Sequence, residues 1–503
     1  MPLPRPTIIV AAAACLAQLA LGPPTAATAP DDEPLSCELE ILLPAQVGGV
    51  TDLAVAANGD IILAGNTTEA DFPTTPDAPD RTCGSKLGCI SDRDDGFVMI
   101  VSEAGEVRFS TFIGADGEDH GTLVAPARDG SIWVLLASTG FYEWTRGVPL
   151  CNGFQPVLMR ITPGSPVFHD VTCIGGPAAH ASVGDMAVAS DGSLWLAGAA
   201  RAITPVNAWQ PLPGGDQDVF VARYVPGREE PLFATFIGGH GEDGAGSIAL
   251  TADGDAVLTG STSSDDFPAV RQPAGLLHDD GSGSGWTSNG FITRVDSSGR
   301  WLEYSLLYGG SRFDSGESVA VDRDGNAFVG GYTGSADFPV IATTVDWPGP
   351  DGESDETLVS VDPGGRPRFL ARFGGSGWDM GTRVLARPDG SLAVFGRSTS
   401  PEFGSPGDPQ PSSDFPQVFV RTTDTLCTMF CCFPRRLFSP TRHFTLDIVV
   451  QAGAHFYLVG DAADRDPTGR WLAYRGHYLK RWHAGRAGDP SRSPEEGSRR
   501  KPS

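Results

Sequence analysis

A chain of 503 residues with 40% apolar side chains can bury a core, and its 64 Gly and 41 Pro are spread as punctuation, which excludes a disordered chain and suits many short strands joined by turns. The formal charge is −26, and residues 30–480 alone carry 29 basic against 59 acidic side chains. Such a body repels phosphate backbones and anionic lipid, so neither nucleic acid nor a membrane surface is expected as a partner; solubility, a cation or a basic ligand remain.

The first thirty residues, MPLPRPTIIVAAAACLAQLALGPPTAATAP, carry one basic residue, an apolar run from Ile8 to Leu21, then a Pro break and small residues. This predicts a signal peptide over residues 1–29, cleaved after Ala27 or Ala29, and export to the periplasm or beyond. Cys15 weakly matches a lipoprotein-processing box, but Ala12 stands where that box has Leu, so lipidation is the weaker reading. No later segment reads as a transmembrane helix. Eight Cys remain after the signal: Cys37, Cys83, Cys89, Cys151, Cys173, Cys427, Cys431 and Cys432. An even count in an exported chain favours disulfides, with Cys83 and Cys89 bracketing one short loop and Cys151 and Cys173 flanking the outer strands of one unit. Cys37 and the 427–432 cluster are left as candidates for a further bridge. Zinc is the rival for CxxxCC, but no His stands nearby at ligand spacing, and no metal site is expected there.

From residue 50 the chain repeats. Gly59, Gly130, Gly192, Gly254, Gly325, Gly390 and Gly453 head seven equivalent segments, most of them after Asp or Asn, the pairs that favour a hairpin turn with φ > 0. An inner strand precedes each turn. A nearly continuous apolar run follows it: IILA, IWVLLA, LWLA, AVL, FYLV. Continuity rather than alternation predicts strands covered on both faces. A Gly after most runs (Gly65, Gly198, Gly260, Gly331, Gly396, Gly460) predicts a close backbone approach, and Leu136 replaces it in the second unit. A third strand such as DVFVARY and a fourth such as LFATFIGG complete a unit. Four strands at a period of about 65 residues predict an all-β, seven-bladed β-propeller of four-stranded antiparallel blades over residues 37–480. The seventh unit lacks a fourth strand, and CELEILLPAQVGG (residues 37–49) is an orphan one. The expectation is ring closure, the N-terminal strand completing the last blade, which would also bring Cys37 toward the 427–432 cluster. Residues 481–503 read as a disordered basic tail.

The segments FATFIGGHGEDGAGSIALTADGDAVLTGSTSSDDFP and YSLLYGGSRFDSGESVAVDRDGNAFVGGYTGSADFP resemble the bacterial SBBP repeat family, named for seven-bladed β-propellers. The resemblance implies an exported propeller, and it implies no single activity, catalytic set or ligand.

Asp119, Asp243, Asp314 and Asp379 share one repeat position, between the outer strand of one unit and the inner strand of the next. A short carboxylate there can accept backbone N–H groups and fix the junction. The functional alternative is a ring of acids at one mouth of the channel, binding Ca²⁺ or a basic ligand. DRDGN (residues 322–326) lacks the bidentate Glu of a calcium loop and reads as a turn. The DFP triplets at Phe72, Phe267 and Phe338 read as packing between blades. No HExxH and no GxSxG is present, so no catalytic residue is assigned. His120 and His240 fall beside Asp119 and Asp243, and a surface-loop role is preferred for both. The loops between second and third strands differ most and are where ligand contacts are expected. These readings converge on an exported scaffold that binds an unidentified protein or glycan, without a cofactor unless Ca²⁺. The rivals are an enzyme acting on polysaccharide at the channel mouth and a cell-surface adhesion or assembly protein.

Overall fold

The computed structural model describes residues 36–43, 47–83, 94–114, 119–138, 156–175, 180–228, 230–277, 287–341, 353–387 and 390–400, and the strands within 417–483. All regular structure among these residues is β. β1 (Ser36–Leu42) stands apart in sequence. Four-stranded antiparallel sheets then follow, each made of consecutive strands in the order of the chain. The first holds β2 (Val50–Val55), β3 (Ile61–Thr67), β4 (Asp95–Val101) and β5 (Val107–Ile113). The second holds β6 (Asp119–Pro126), β7 (Ile132–Ser138), β8 (Pro156–Ile161) and β9 (His169–Cys173). The third holds β10 (His180–Val188), β11 (Leu194–Ala202), β12 (Asp218–Tyr224) and β13 (Phe233–Ile237). The fourth holds β14 (Asp243–Leu250), β15 (Ala256–Thr262), β16 (Asn289–Val295) and β17 (Leu302–Tyr308). The fifth holds β18 (Asp314–Val321), β19 (Ala327–Thr333), β20 (Asp355–Val361) and β21 (Pro367–Phe373). The sixth holds β22 (Asp379–Ala386), β23 (Ser391–Ser398), β24 (Gln417–Asp424) and β25 (Phe430–Arg436). The terminal sheet gathers β26 (Arg442–Phe444), β27 (Ile448–Ala452), β28 (His455–Arg465) and β29 (Trp471–His483), with β1 antiparallel to β29. β25 and β26 were not expected from the sequence; FCCFPRR and RHF carry no alternation that marks them.

Second strands are buried on both faces because the neighbouring sheets cover them. β15 and β19 are buried at every position but one, and β3 shares that pattern. First strands behave otherwise: β10 alternates between exposed and half-buried positions over its first six residues. The first strands of successive sheets lie beside one another, so one face of each is turned away from the packed sheets. The turn between first and second strands needs one left-handed residue. At Gly254 φ is +88°; its N–H bonds the Thr251 carbonyl at 3.0 Å, and the Thr251 N–H bonds the Asp255 carbonyl at 2.9 Å. Gly59, Gly130, Gly192, Gly325 and Gly390 take φ between +81° and +85°, while Gly453 lies outside the described residues. The DRDGN segment is one of these turns: Asp322 accepts the amides of Asp324 (2.9 Å) and Asn326 (2.8 Å).

The loops after second strands do not simply leave the fold. Val206 pairs with Ala234, Val270 with Ser305 and Ile341 with Leu370 as antiparallel bridges, and the Thr75 N–H bonds the Ser110 carbonyl at 3.0 Å. Each therefore covers the outer edge of its own sheet, where unpaired N–H and C=O groups would otherwise face water. The DFP phenylalanines anchor them. Phe72 packs on Phe97 and Phe112 with ring centres 4.9 and 5.2 Å apart, Phe267 stacks on Phe291 at 5.0 Å, and Phe338 meets Tyr308 at 6.3 Å.

The two ends of the described chain meet in one core. Leu479 of β29 is fully buried in a cluster with Leu53, Leu63, Phe97 and Phe112 of the first sheet. Cys83 and Cys173 are each disulfide-bonded. Cys89, Cys151 and Cys427 lie outside the described residues, as does the segment read as a signal and the segment from 484 onward. Cys37 is in β1, opposite Trp482, and Cys431 and Cys432 are in β25.

Candidate functional site

The four repeated aspartates open the first strands β6, β14, β18 and β22, and all four side chains are buried, at 0–1% exposure. Asp243 shows why. Its chain neighbours Gly238 and Gly239 turn out of β13, and the Gly239 N–H donates to Asp243 Oδ2 at 2.8 Å. The Ser264 hydroxyl donates to the same oxygen at 2.9 Å, and the Thr262 hydroxyl to Oδ1. The pattern recurs. Asp314 Oδ2 takes the Gly310 N–H at 2.8 Å and the Ser335 hydroxyl at 2.9 Å; Asp379 Oδ2 takes the Gly375 N–H at 2.8 Å and the Ser400 hydroxyl at 2.7 Å. Asp119 is paired in register with Ser138, and its N–H reaches the Asp94 carbonyl at 3.0 Å. These carboxylates tie the Gly–Gly turn of one sheet to the end of the second strand of the next, and at this burial they present no face to solvent.

A second polar side chain, an acid in three sheets and an amide in one, stands beside each of them, and the sequence pattern alone did not single it out. It opens the third strand: Asp95, Asp218, Asn289 and Asp355. Asp218 is fully buried, its Oδ2 accepts the Gly214 N–H at 2.6 Å, and its Oδ1 finds no N–H or hydroxyl donor. Burial first, and the adjacent Asp243 carboxyl next among the influences in the same direction, push the Asp218 carboxyl up to about 6. Asp314 is likewise pushed up to about 6, chiefly by burial. At two junctions a glycine makes room for both members of the pair. A Cβ on Gly309 would lie 2.6 Å from both Asn289 Oδ1 and Asp314 Oδ2, and one on Gly114 would lie 2.8 Å from Asp95 Oδ1 and 2.7 Å from Asp119 Oδ2. The signal was present in DGFV, DVFV, NGFI and DETLV, where a polar residue repeatedly opens an apolar strand.

A third set lies on the inner row. Every first strand from β2 to β22 carries a bulge, and the residue after it is Asp52, Leu123, Asp185, Ser247, Ser318 or Arg383. The two acids and the two serines reach across to a following first strand. Asp52 Oδ2 accepts the Val124 N–H at 2.8 Å, Asp185 Oδ2 the Ile248 N–H at 3.1 Å, the Ser247 hydroxyl the Val319 N–H at 3.2 Å and the Ser318 hydroxyl the Val384 N–H at 3.2 Å. Leu123 offers no acceptor, and the amide it would have served, on Met186, is taken by Asp185 Oδ1 at 2.8 Å. Burial pushes the Asp52 carboxyl up to about 7; the Val124 amide opposes this, Asp185 adds to it and the Arg383 guanidinium opposes it. Asp52, Asp185 and Arg383 are thus polar equipment that differs from sheet to sheet.

His240 behaves as a surface group. His240 Nδ1 is paired with the Asp266 carboxylate, and the His240 side chain is 86% exposed. The His240 amide, bonded to Asp266 Oδ1 at 2.8 Å, holds the Asp266 carboxyl below the usual carboxylate range. His120 lies in β6 opposite Ala137. Among the described residues no three His, Cys, Asp or Glu side chains are grouped so as to hold a metal ion, and no helix is long and apolar enough to cross a membrane.

Comparison with known proteins finds a beta-propeller repeat in residues 303–339 and goes no further. No curated protein matches the sequence. Among solved structures, a protein of unknown function from Dyadobacter fermentans aligns at 10% identity and a TM-score of 0.40, covering 89% of this chain and 99% of its own. The NanB sialidase of Streptococcus pneumoniae aligns at 9% identity and 0.37, covering 87% and 68% respectively. The α-L-arabinanase of Penicillium chrysogenum aligns at 9% and 0.33, covering 74% and 92%. At such identities these likenesses bring no activity to this chain. Residues 303–339, from β17 through the second strand of the fifth sheet to its DFP triplet, match the beta-propeller repeat of the SBBP family, and it is this family that the chain resembles.

Proposed function

We propose that this chain is an exported seven-bladed β-propeller, its ring closed by β1 within the last blade, and that it serves as a binding scaffold for a protein or glycan. The pairing of β1 with β29 and the burial of Leu479 against the first sheet support the closure. One observation carries the functional reading: the acids that recur from sheet to sheet are buried and hydrogen-bonded inside the junctions, so the repeated polar set is spent on the fold. The long loops also differ from sheet to sheet, and a rigid scaffold with variable loops is the usual arrangement of a binding protein. The signal-like N-terminus supports export, and export suits the disulfides of Cys83 and Cys173, for which Cys89 and Cys151 are the proposed partners.

A second reading keeps the inner row in view. Asp52, Asp185 and Arg383 bring both charge signs to the inner row of first strands, where Asp185 and Arg383 act electrostatically on Asp52, as an enzyme acting on polysaccharide at the channel mouth would need. An array of glycans and proteins probed with the purified mature chain separates the two. Retention of one class of glycan or protein without turnover is the expected outcome; depolymerisation of any arrayed polysaccharide would sink the scaffold reading and favour the enzyme.

A further inference from the structure

The junctions between sheets pose one electrostatic problem several times. Two acidic positions, one opening a third strand and one opening the next first strand, are buried side by side around a glycine. Two like charges this close cannot both be ionised cheaply in a buried site. Three of these junctions answer it in different ways. Between the fourth and fifth sheets the first position is Asn289, whose amide carries no charge next to Asp314. Between the fifth and sixth sheets Asp355 keeps its carboxylate, and Arg372 Nε stands 3.8 Å from it. Between the third and fourth sheets neither device exists. Asp218 faces Asp243, and the β13 residue matching Arg372 by register is Phe236, which is buried.

The other titratable groups around that seam do not supply the missing charge. His240 and Glu242 on the junction loop and Asp216 ahead of β12 are all exposed. Asp266, beyond β15, is occupied by His240. Among the described residues no Lys or Arg forms an ion pair with Asp218 or Asp243. Asp243 has both oxygens supplied with donors, and Asp218 Oδ1 has none. The remaining neutraliser is a proton. We propose that the Asp218–Asp243 pair binds one proton in mildly acidic solution, one carboxyl donating to the other, and that losing it toward neutral pH loosens the seam between the third and fourth sheets. The device makes the propeller an acid-tightened one at this joint.

The sign follows from linkage. The Asp218 carboxyl is raised from its ordinary 3.8 to about 6 in the folded chain, so its contribution is fully present below the ordinary value and is lost as pH rises through about 6. A carboxyl that holds its proton more tightly when folded favours folding by the same factor, so the loss reaches roughly a hundredfold in the folding equilibrium constant at most. The test compares urea unfolding of the full mature chain from pH 4 to pH 8 with that of two reciprocal variants. Asp218→Asn copies the Asn289 solution: its amide oxygen still accepts the Gly214 N–H and its amide nitrogen donates to Asp243. It is expected to fold and to lose up to one proton of pH dependence. Asn289→Asp rebuilds the acid pair at the next junction and is expected to gain up to one proton of dependence with the same sign. Unchanged pH dependence in both variants, or Asp218→Asn costing the same at pH 4 and pH 8, overturns the proposal. If Asp218→Asn does not accumulate as folded protein, Asn289→Asp decides alone: a gain supports a shared proton at such pairs, and no gain overturns it.

Discussion

At the scale of single residues, carboxylates do two kinds of work here, and neither is visible as a charge. Asp243 gathers a backbone N–H and two hydroxyls, all inside the junction. Replacing it with Ala strands three donors in a buried site, where an unmet group costs about 1–3 kcal/mol. Asp243→Ala is therefore expected to lower unfolding stability by roughly 3 kcal/mol. Glu242→Ala, one residue earlier and exposed, is expected to stay within about 0.5 kcal/mol of the parent in the same urea titration. Equal losses for the two would remove the junction role. The position of Asp243 and its likes was legible in the sequence, because GEDGAG, RFDSG and GWDMG recur at one place. Their hydroxyl partners were not, since Thr262 and Ser264 look like ordinary strand-end residues until folding makes neighbours of groups 19 and 21 positions apart in the chain.

At the scale of elements, the strand that carries the fold is the second of each sheet. Its burial on both faces follows from being sandwiched, and its glycine follows from the bulge opposite. A Cβ on Gly260 would overlap the carbonyl oxygen of Gly244, on the bulged strand β14. Gly260→Ala is expected to cost about 2–3 kcal/mol, because the obstacle is backbone and cannot rotate away. Gly254→Ala, whose new Cβ would come no nearer than 4.0 Å to Ser297 Cβ but which sits at φ +88°, is expected to cost less, about 1 kcal/mol, through backbone strain. Thermal melting of both variants checks the ranking, and a reversed order would show that the close approach is not the constraint. Sequence foretold the glycine and the close approach. It did not foretell the bulge, whose residues Asp52, Asp185, Ser247 and Ser318 cap amides on the next sheet, because that contact spans 63–72 positions.

At the scale of the whole molecule, the question is how the ends meet. β1 supplies a strand to the terminal sheet beside β29. Without it the edge of β29 would lie open, with N–H and C=O groups ready to pair with another chain. A chain beginning after residue 43 is expected to melt at lower temperature and to self-associate on size-exclusion chromatography. A truncated chain that stays monomeric with unchanged melting would count against ring closure. The same scale holds the charge: a body this acidic gains from protonation as pH falls, in the same direction as the raised Asp218 and Asp314 carboxyls.

The sequence by itself determined the unit: its four strands, its left-handed turn glycines, its doubly buried second strand and its aromatic DFP anchor. Each is set by contacts along one hairpin or by burial pattern, and such local rules leave a periodic trace in the residues. Only the tertiary structure decided what the polar residues are for. Whether the position that opens a third strand is an amide, as at Asn289, an acid near a guanidinium, as Asp355 is near Arg372, or an acid facing another carboxyl, as Asp218 faces Asp243, depends on which side chains neighbouring strands bring together, and no spacing along the chain encodes that. The loops expected to be free for binding were likewise found to spend their first residues covering the outer edges of their own sheets, because an open strand edge is costly wherever it occurs.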